Sequence, residues 1–216
     1  MDIEVTPAGP DSVAADLVAA SGRWALELGA PDRAVADADP VAMVYRDSRA
    51  PLAVVALEPD VDGVRTAAAR AVRACRDGGI IAWAFDPVLP VAPHEQVRAL
   101  AEGAVIGGYD GRRWRSGDPP RGVERFVICG ASKQLAPVAD RAALVAHWTN
   151  VARELVDAPA NLMSPADLSD RVVKFTHLDS EIIVDPARSG LGALAAVGAS
   201  SPISPGRGRF TRATAG

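Results

Sequence analysis

The sequence predicts a layered α/β fold, in which a largely buried central sheet is flanked by helices. Short apolar runs of strand length alternate with segments whose apolar residues recur at helical spacing. The run Ile80–Phe85 is apolar throughout, as in a strand that is buried on both faces of a sheet. With 216 residues, 49% of them hydrophobic, the chain can bury one core, or one core and part of a second.

The N-terminal part of the chain contains strand candidates and one helix start. Short β-rich runs lie at Ile3–Thr6, Val41–Arg46 and Leu52–Leu57. The last two are separated by a short polar stretch, so a hairpin or a pair of neighbouring strands is expected. Pro10-Asp11-Ser12 is typical of a helix start, which predicts a helix from Val13 to Ala20. The acidic, proline-bearing stretch over residues 29–40 is interpreted as a loop.

Longer segments further along have the spacing of amphipathic helices. They are Val61–Arg76, His94–Val105 and Asp140–Val156. The apolar residues at helical spacing in the last of them are Leu144, Val145, Trp148, Val151, Ala152 and Leu155. Before that helix, a turn-rich hairpin is expected over Tyr109–Gly117, followed by a strand at Arg125–Cys129.

A double corner follows the third long helix. Pro159 lacks an N–H and cannot continue a helix, and it drives Ala158 out of helical geometry. A new helix is expected almost at once. Ser164 is a favoured N-cap, Pro165 suits the first helical position, and Asp167 can complete a capping box. From local chemistry alone, this corner is structural.

Composition and charge argue against several classes of partner. The net charge of −4 is spread along the chain, which disfavours a nucleic-acid or membrane partner because both need a concentrated basic face. The N-terminus lacks the pattern of a signal peptide, and no apolar stretch approaches the roughly 20 residues that cross a bilayer. Cys75 and Cys129 lie in apolar patterns that are typical of small buried residues, which fits a reducing compartment. We therefore expect a cytoplasmic protein.

Metal-ligating residue types are present, but their spacing does not form a ligand pattern. His94, His147 and His177 are far apart, and none has another His or Cys at ligand spacing. The acidic residues Asp37, Asp39, Glu58, Asp60 and Asp62 lack the glycine of a calcium-binding loop, so solvated loops are favoured over a cation site. No catalytic, metal-binding or cofactor-binding residue is assigned.

Two other stretches invite ligand hypotheses. Gly190–Ala195 follows the strand-like Ile182–Val184 and matches G-x-G-x-x-A, a partial dinucleotide fingerprint. The insertion Asp185–Ser189 is too long for that motif, and no room remains for an acidic ribose ligand about 20 residues later. The cluster Arg112–Arg115 includes a tryptophan and could contact nucleic acid, but it is a small footprint in an acidic chain. DNA binding is kept as an alternative.

The corner segment resembles the start of the catalytic domain in the leucyl (cytosol) aminopeptidase family. The family form is an Arg-Asp-Leu helix end, then Asn-Thr-Pro, then Asn, then Thr-Pro. Arg153–Leu155, Asp157–Pro159, Asn161 and Ser164–Pro165 stand at these elements. Asp157 and Ala158 depart from the usual pair.

Two further segments agree with this resemblance, in the same order along the chain. Leu100–Tyr109, LAEGAVIGGY, is similar to the family's "LAEGALLGAY" near the close of its N-terminal domain. Ile182–Gly198 is similar to its strand, acidic turn and "LGMGALLAVG" helix. The resemblance covers about residues 50 to 200.

The resemblance implies a domain plan. Residues 1–138 would form an N-terminal α/β domain similar to macro domains, and 139–157 a connecting helix. Residues 158–200 would begin an incomplete catalytic domain, and 201–216 would be a disordered tail because their pattern is small, basic and polar.

The resemblance also implies a chemistry that these residues lack. Family members remove N-terminal residues from peptides with two divalent metals, manganese or zinc. Their ligands lie in stretches like Asp-Gly-Lys-Gly-Ile-Thr-Phe-Asp and Asn-Thr-Asp-Ala-Glu-Gly-Arg-Leu, and neither stretch occurs in this sequence. We therefore expect no bound cofactor and no peptide hydrolysis, and peptide substrates only for a full-length relative. A non-catalytic module that binds DNA, a nucleotide-like ligand or a partner aminopeptidase subunit is the alternative, and a homo-oligomer is left open.

Overall fold

The computed structural model describes residues 1–36, 38, 40–75, 78–111, 114, 116, 121–159, 161–174, 178–183, 188–193, 196 and 210–215. The chain divides into two units, Met1–Ala152 and Arg153–Gly216, and the boundary falls within one long helix. No helix in the described part of the chain is long and apolar enough to cross a membrane.

The first unit is built on a six-stranded sheet. Its strands are β1 Asp2–Thr6, β2 Leu17–Ala20, β3 Val41–Val44, β4 Leu52–Val55, β5 Gly79–Ala84 and β6 Val123–Cys129. The spatial order is β1-β6-β5-β2-β4-β3, and all neighbours are parallel except β3 with β4, which form an antiparallel edge hairpin. The layered α/β prediction is confirmed.

Helices cover both faces of this sheet. They are α1 Gly22–Glu27, α2 Asp32–Ala36, α3 Val61–Ala74, α4 Pro93–Gly107 and α5 Ala136–Asp157. One core, beneath α3, α4 and α5, contains Trp83 and Phe126, whose stacked rings lie 6.2 Å apart between centroids. The other core lies beneath α1 and α2 and includes Ala25 and Ala30. Short 3₁₀ turns, Pro10–Ser12 and Lys133–Leu135, precede β2 and α5.

Glycines allow α3 and α4 to pack closely. A Cβ on Gly103 would lie 2.1 Å from the backbone oxygen of Arg65, and one on Gly107 would lie 2.6 Å from the Cα of Ala69. The same two helices are joined by an ion pair in which Arg65 Nε lies 2.9 Å from Glu102 Oε2.

The helix predicted from Val13 to Ala20 is wrong. Pro10–Ser12 makes one 3₁₀ turn, and β2 follows as a central strand between β4 and β5. All four residues of β2 are buried, because both faces of the sheet are covered at this strand. Alanine and leucine favour helices locally, but burial between two parallel neighbours outweighs that preference.

Two short helices differ from the sequence prediction. The loop predicted over residues 29–40 contains α2, and α1 precedes it. Both are only one or two turns long, so their apolar residues do not repeat often enough to show a helical period. The strands at β1, β3, β4, β5 and β6 and the helices α3, α4 and α5 are confirmed. Four of the nine residues in the hairpin predicted over Tyr109–Gly117 lie outside the described part of the chain, and the other five are not in strands.

The second unit contains α6 Pro165–Val173 and an antiparallel pair, β7 Leu178–Ile183 and β8 Phe210–Ala215. The predicted cap of α6 is confirmed. Ser164 Oγ accepts from the Asp167 N–H, and the Asp167 carboxylate accepts from the Ser164 N–H at 2.9 Å. Disorder is predicted over 201–216, whereas Phe210–Ala215 pairs with β7. Composition does not show this strand, because a short edge strand need not be apolar. The proposed domain boundaries stay a prediction.

Candidate functional site

The residues that the sequence marks as metal-ligating types do not come together. His94 lies in the first turn of α4 and His147 lies in α5, while His177 lies outside the described residues. Across the described ranges, no group of three or more His, Cys, Asp or Glu side chains could hold a metal ion. The two divalent metals implied by the resemblance therefore do not fit the side chains that are described, and no chemical step is assigned to them.

The acidic residues near α3 have structural roles. Asp60 is the N-cap of α3, and its carboxylate accepts from the Gly63 N–H at 2.7 Å. Asp62 pairs with Arg65, which also binds Glu102 on α4. Asp37 and Asp39 lie outside the described residues. The predicted solvated loop is replaced at these positions by the start of α3, which Asp60 caps and in whose first turn Asp62 lies.

The two cysteines are placed as small core residues. Cys75 is half-buried at the end of α3, and its thiol donates to the Gly78 carbonyl at 3.2 Å. Cys129 is buried at the end of β6. Burial, with a smaller contribution from the charge of Glu4, raises the pKa of the Cys129 thiol to about 12. This thiol is therefore protonated near neutral pH and is a poor nucleophile.

The two ligand stretches considered from sequence are only partly described. Gly190 has a φ of +78°, which suits a turn, but parts of Gly190–Ala195 lie outside the described residues. Three of the four residues in Arg112–Arg115 also lie outside them. Neither stretch provides a binding geometry.

A topological feature that the sequence prediction does not contain lies at the carboxyl ends of β2 and β5. From β2 the chain enters α1 on one face of the sheet, and from β5 it leads to α4 on the other. Neighbouring parallel strands whose connections diverge in this way mark a topological switch point, where α/β folds bind ligands. The incorrect helix over Val13–Ala20 hides this feature, because the switch point appears only once β2 is recognised as a strand.

The loop that follows β5 at this switch point is held in place by a side chain. After β5, the Gln96 amide binds the backbone of Asp86 twice. The Asp86 N–H donates to Gln96 Oε1 at 3.1 Å, and Gln96 Nε2 donates to the Asp86 carbonyl at 2.8 Å. After β2, Ser21 is buried and its side chain makes no capping bond to α1, and Gly22 has a φ of +49°. The switch point therefore has a fixed loop after β5 and a buried Ser21 after β2.

A cavity of about 1040 Å³ opens at the opposite, amino-terminal ends of β2 and β5. Its lining includes Asp16, whose carboxylate accepts from the Ile80 N–H at 2.8 Å. Gly79 pairs with Val123 and Ile80 pairs with Arg125, so Glu124 is an extra residue at a bulge in β6. Because the Asp16 carboxylate binds the backbone N–H of Ile80 in β5, it holds this end of the sheet together and is not poised as a catalytic base.

Comparison with known proteins finds aminopeptidases. No family model matches the chain. A probable cytosol aminopeptidase of Cutibacterium acnes is 30% identical over 155 residues, which cover 68% of this chain and 30% of that protein. One of a Picosynechococcus species is 34% identical over 126 residues, covering 54% of this chain and 25% of that protein.

Solved structures that align with the chain include a leucine aminopeptidase as well. The bottromycin maturation enzyme BotP in complex with Mn aligns with a TM-score of 0.71 and 28% identity, covering 93% of this chain and 45% of that one. A tomato leucine aminopeptidase mutant aligns with a TM-score of 0.77 over 98% of this chain and 50% of its own, and its 19% identity supports the fold alone. The chain thus spans half or less of the length of these relatives.

Proposed function

We propose that this chain, which belongs to the cytosol aminopeptidase family, is a non-catalytic α/β portion of a di-metal aminopeptidase and does not hydrolyse peptides by itself. The observation that carries the proposal is the absence from its 216 residues of the family's two metal-ligand stretches. The relatives' names support an aminopeptidase setting and a cytoplasmic location.

The physical chemistry of the reaction explains why this absence matters. In metal-assisted hydrolysis, the metals lower the pKa of a bound water and polarise the scissile carbonyl. Both tasks need several carboxylates held around the ions, and the described residues contain no such group. The chain's acidic residues near α3 are instead used in a helix cap and in ion pairs.

The proposal extends to the domain plan. Residues 1–138 would be the N-terminal domain, 139–157 the connecting helix and 158–200 the start of a catalytic domain. The family-like corner supports this plan, because α6 begins with the Ser164–Asp167 capping box at the expected point. Peptide substrates, with manganese or zinc, would belong to a longer relative that carries the ligand stretches.

The test is an aminopeptidase assay with a matched positive control. The purified chain is incubated with leucine p-nitroanilide and Mn²⁺, beside the full-length C. acnes relative prepared in the same way. We expect turnover only from the relative. Turnover that follows this chain through size-exclusion chromatography and is lost on chelation would contradict the proposal.

A second candidate function rests on the switch point between β2 and β5. The buried Ser21 and the loop fixed by Gln96 favour a small ligand at that switch point, and a nucleotide-like molecule is the class to test. Thermal-shift measurements with ADP-ribose, comparing the chain with its Ser21→Val variant, check this. Stabilisation of the unsubstituted chain alone would support it. Equal or absent shifts would contradict it, and a parallel DNA titration covers the nucleic-acid alternative.

A further inference from the structure

The cavity of about 1040 Å³ at the amino-terminal ends of β2 and β5, which we call the end cavity, runs across one end of the sheet. Its lining includes a residue of, or just before, each of five neighbouring strands: Met43 (β3), Pro51 (before β4), Asp16 (before β2), Ile80 (β5) and Glu124 (β6). Because neighbouring strands lie about 4.8 Å apart, the four gaps between these strands make the cavity roughly 19 Å long. This length leaves room for a small organic molecule.

Two consecutive glycines form the middle of the end cavity. Gly78 and Gly79 have φ values of +78° and +93°, a region of backbone conformation that favours glycine. A Cβ on Gly78 would lie 2.9 Å from the Gly122 carbonyl oxygen and 3.0 Å from the Cβ of Arg121. A Cβ on Gly79 would collide with the Asp16 carboxylate. The missing side chains therefore bring Asp16 and Arg121 close to the same two residues, from different sides.

Charged groups of both signs line the end cavity with bonding capacity to spare. Asp16 Oδ2 accepts from the Ile80 N–H at 2.8 Å, and its other carboxylate oxygen has no partner among the described residues. Within the same described ranges, neither Glu124 nor Arg121 makes an ion pair or a side-chain hydrogen bond. The carboxyl end of α3, at Ala74, also lines the cavity, and its partial negative charge adds to the attraction for a cation.

The β3 side of the end cavity is an exposed apolar wall. Met43 and Tyr45 are 39% and 84% exposed. The backbone that carries Tyr45 is fixed by the next residue, because Arg46 is buried and donates from Nε to the Ala50 carbonyl at 2.9 Å and from Nη1 to Asp11 Oδ1 at 3.0 Å. The wall is therefore held in place although its side chains are open to solvent.

We propose that the end cavity binds a small zwitterion with an apolar side chain, which is either a free amino acid or a short peptide. Its ammonium would bind the carboxylates of Asp16 and Glu124, and its carboxylate would bind the Arg121 guanidinium through charge-assisted hydrogen bonds. The apolar side chain would lie against Met43 and Tyr45. Two carboxylates and a helix carboxyl end disfavour a phosphate-bearing ligand. Binding here needs no metal, so the inference goes beyond the proposed lack of hydrolysis.

Isothermal titration calorimetry with the full chain tests the ligand class without any substitution. The titrants are L-leucine, the tripeptide Leu-Gly-Gly, and two leucine analogues that each lack one charge: isocaproate has no ammonium and isoamylamine has no carboxylate. We expect at least one zwitterion to bind with a Kd of about 1 mM or tighter, and both analogues to bind at least about tenfold more weakly.

The titrations have clear readings. The zwitterion that binds more tightly identifies the source of the ligand, a free amino acid or a peptide. No binding by either zwitterion, or an analogue that binds as well as leucine when leucine binds, would overturn the proposal.

Three substitutions test the assignment of the groups. Asp16→Asn removes a charge but keeps an oxygen that can accept from the Ile80 N–H, and Arg121→Gln removes the guanidinium at an exposed position. Each is expected to weaken zwitterion binding about tenfold with unchanged circular dichroism. Arg33→Gln is the matched control, since Arg33 is exposed on α2 and does not line the cavity, and it should bind as the unsubstituted chain does. Full binding by both Asp16→Asn and Arg121→Gln, or equal loss in Arg33→Gln, would overturn the site.

Discussion

Helices α4 and α5 lie on the same side of the sheet but use their residues in opposite ways. The 15-residue α4 buries eight residues, among them Val97 and Leu100, and brings glycines against α3. The 22-residue α5 buries three alanines and leaves Leu144 and Trp148 half exposed. The comparison separates a helix that completes a core with large side chains from one that contributes only small side chains to it.

Matched leucine truncations should give the largest difference between the two helices. Leu100→Ala removes a fully buried side chain and should cost about 3 kcal/mol of unfolding free energy, from lost burial and a cavity. Leu144→Ala should cost less than about 0.5 kcal/mol in the monomer, because the side chain is already half exposed. Urea unfolding of both variants measures this difference. Equal losses would show that α5 carries core packing as α4 does.

A glycine substitution should sharpen the description of α4. Gly103→Ala places a Cβ 2.1 Å from the Arg65 carbonyl oxygen, so α3 and α4 must separate. We expect a loss of about 2 kcal/mol in the free energy of unfolding, as for other overpacked cores. Gly9→Ala is the control, since a Cβ at residue 9 would meet nothing within 4 Å and little change is expected. Wild-type stability in Gly103→Ala would contradict the close approach of the two helices.

The smallest expected effect concerns the cap of α6. Hydrogen bonds from Ser164 hold the pKa of the Asp167 carboxyl below its ordinary value. A depressed folded-state pKa stabilises the cap at pH values above the unfolded pKa, and this contribution is lost as pH falls through the folded pKa. NMR titration of Asp167 should therefore show a low midpoint that rises in Ser164→Ala. The same midpoint in both chains would mean that the capping box does not form in solution.

How far the sequence predicts this molecule depends on how local each signal is. The Ser164–Asp167 cap and the strand Ile80–Phe85 are predicted because neighbouring residues determine them. The strand β2 is not predicted, because its short run Leu17–Ala20 is also compatible with a helix. The run forms a strand because it pairs with β4 and β5 on either side.

The candidate sites show the same limit. Helical spacing marks the apolar residues of α5, but spacing cannot tell which side of a helix meets the core. The alanines at 139, 142 and 146 are the signal for the buried side. The switch point at Ser21 and Asp86 could not be predicted, because it requires the order of strands in the sheet.

The central claim, that this chain does not hydrolyse peptides by itself, is tested most directly by the leucine p-nitroanilide assay. The chain and the Cutibacterium acnes relative are each incubated with Mn²⁺, with and without a chelator. The account predicts chelator-sensitive release of p-nitroaniline from the relative alone. Chelator-sensitive release that stays with this chain through purification would contradict it.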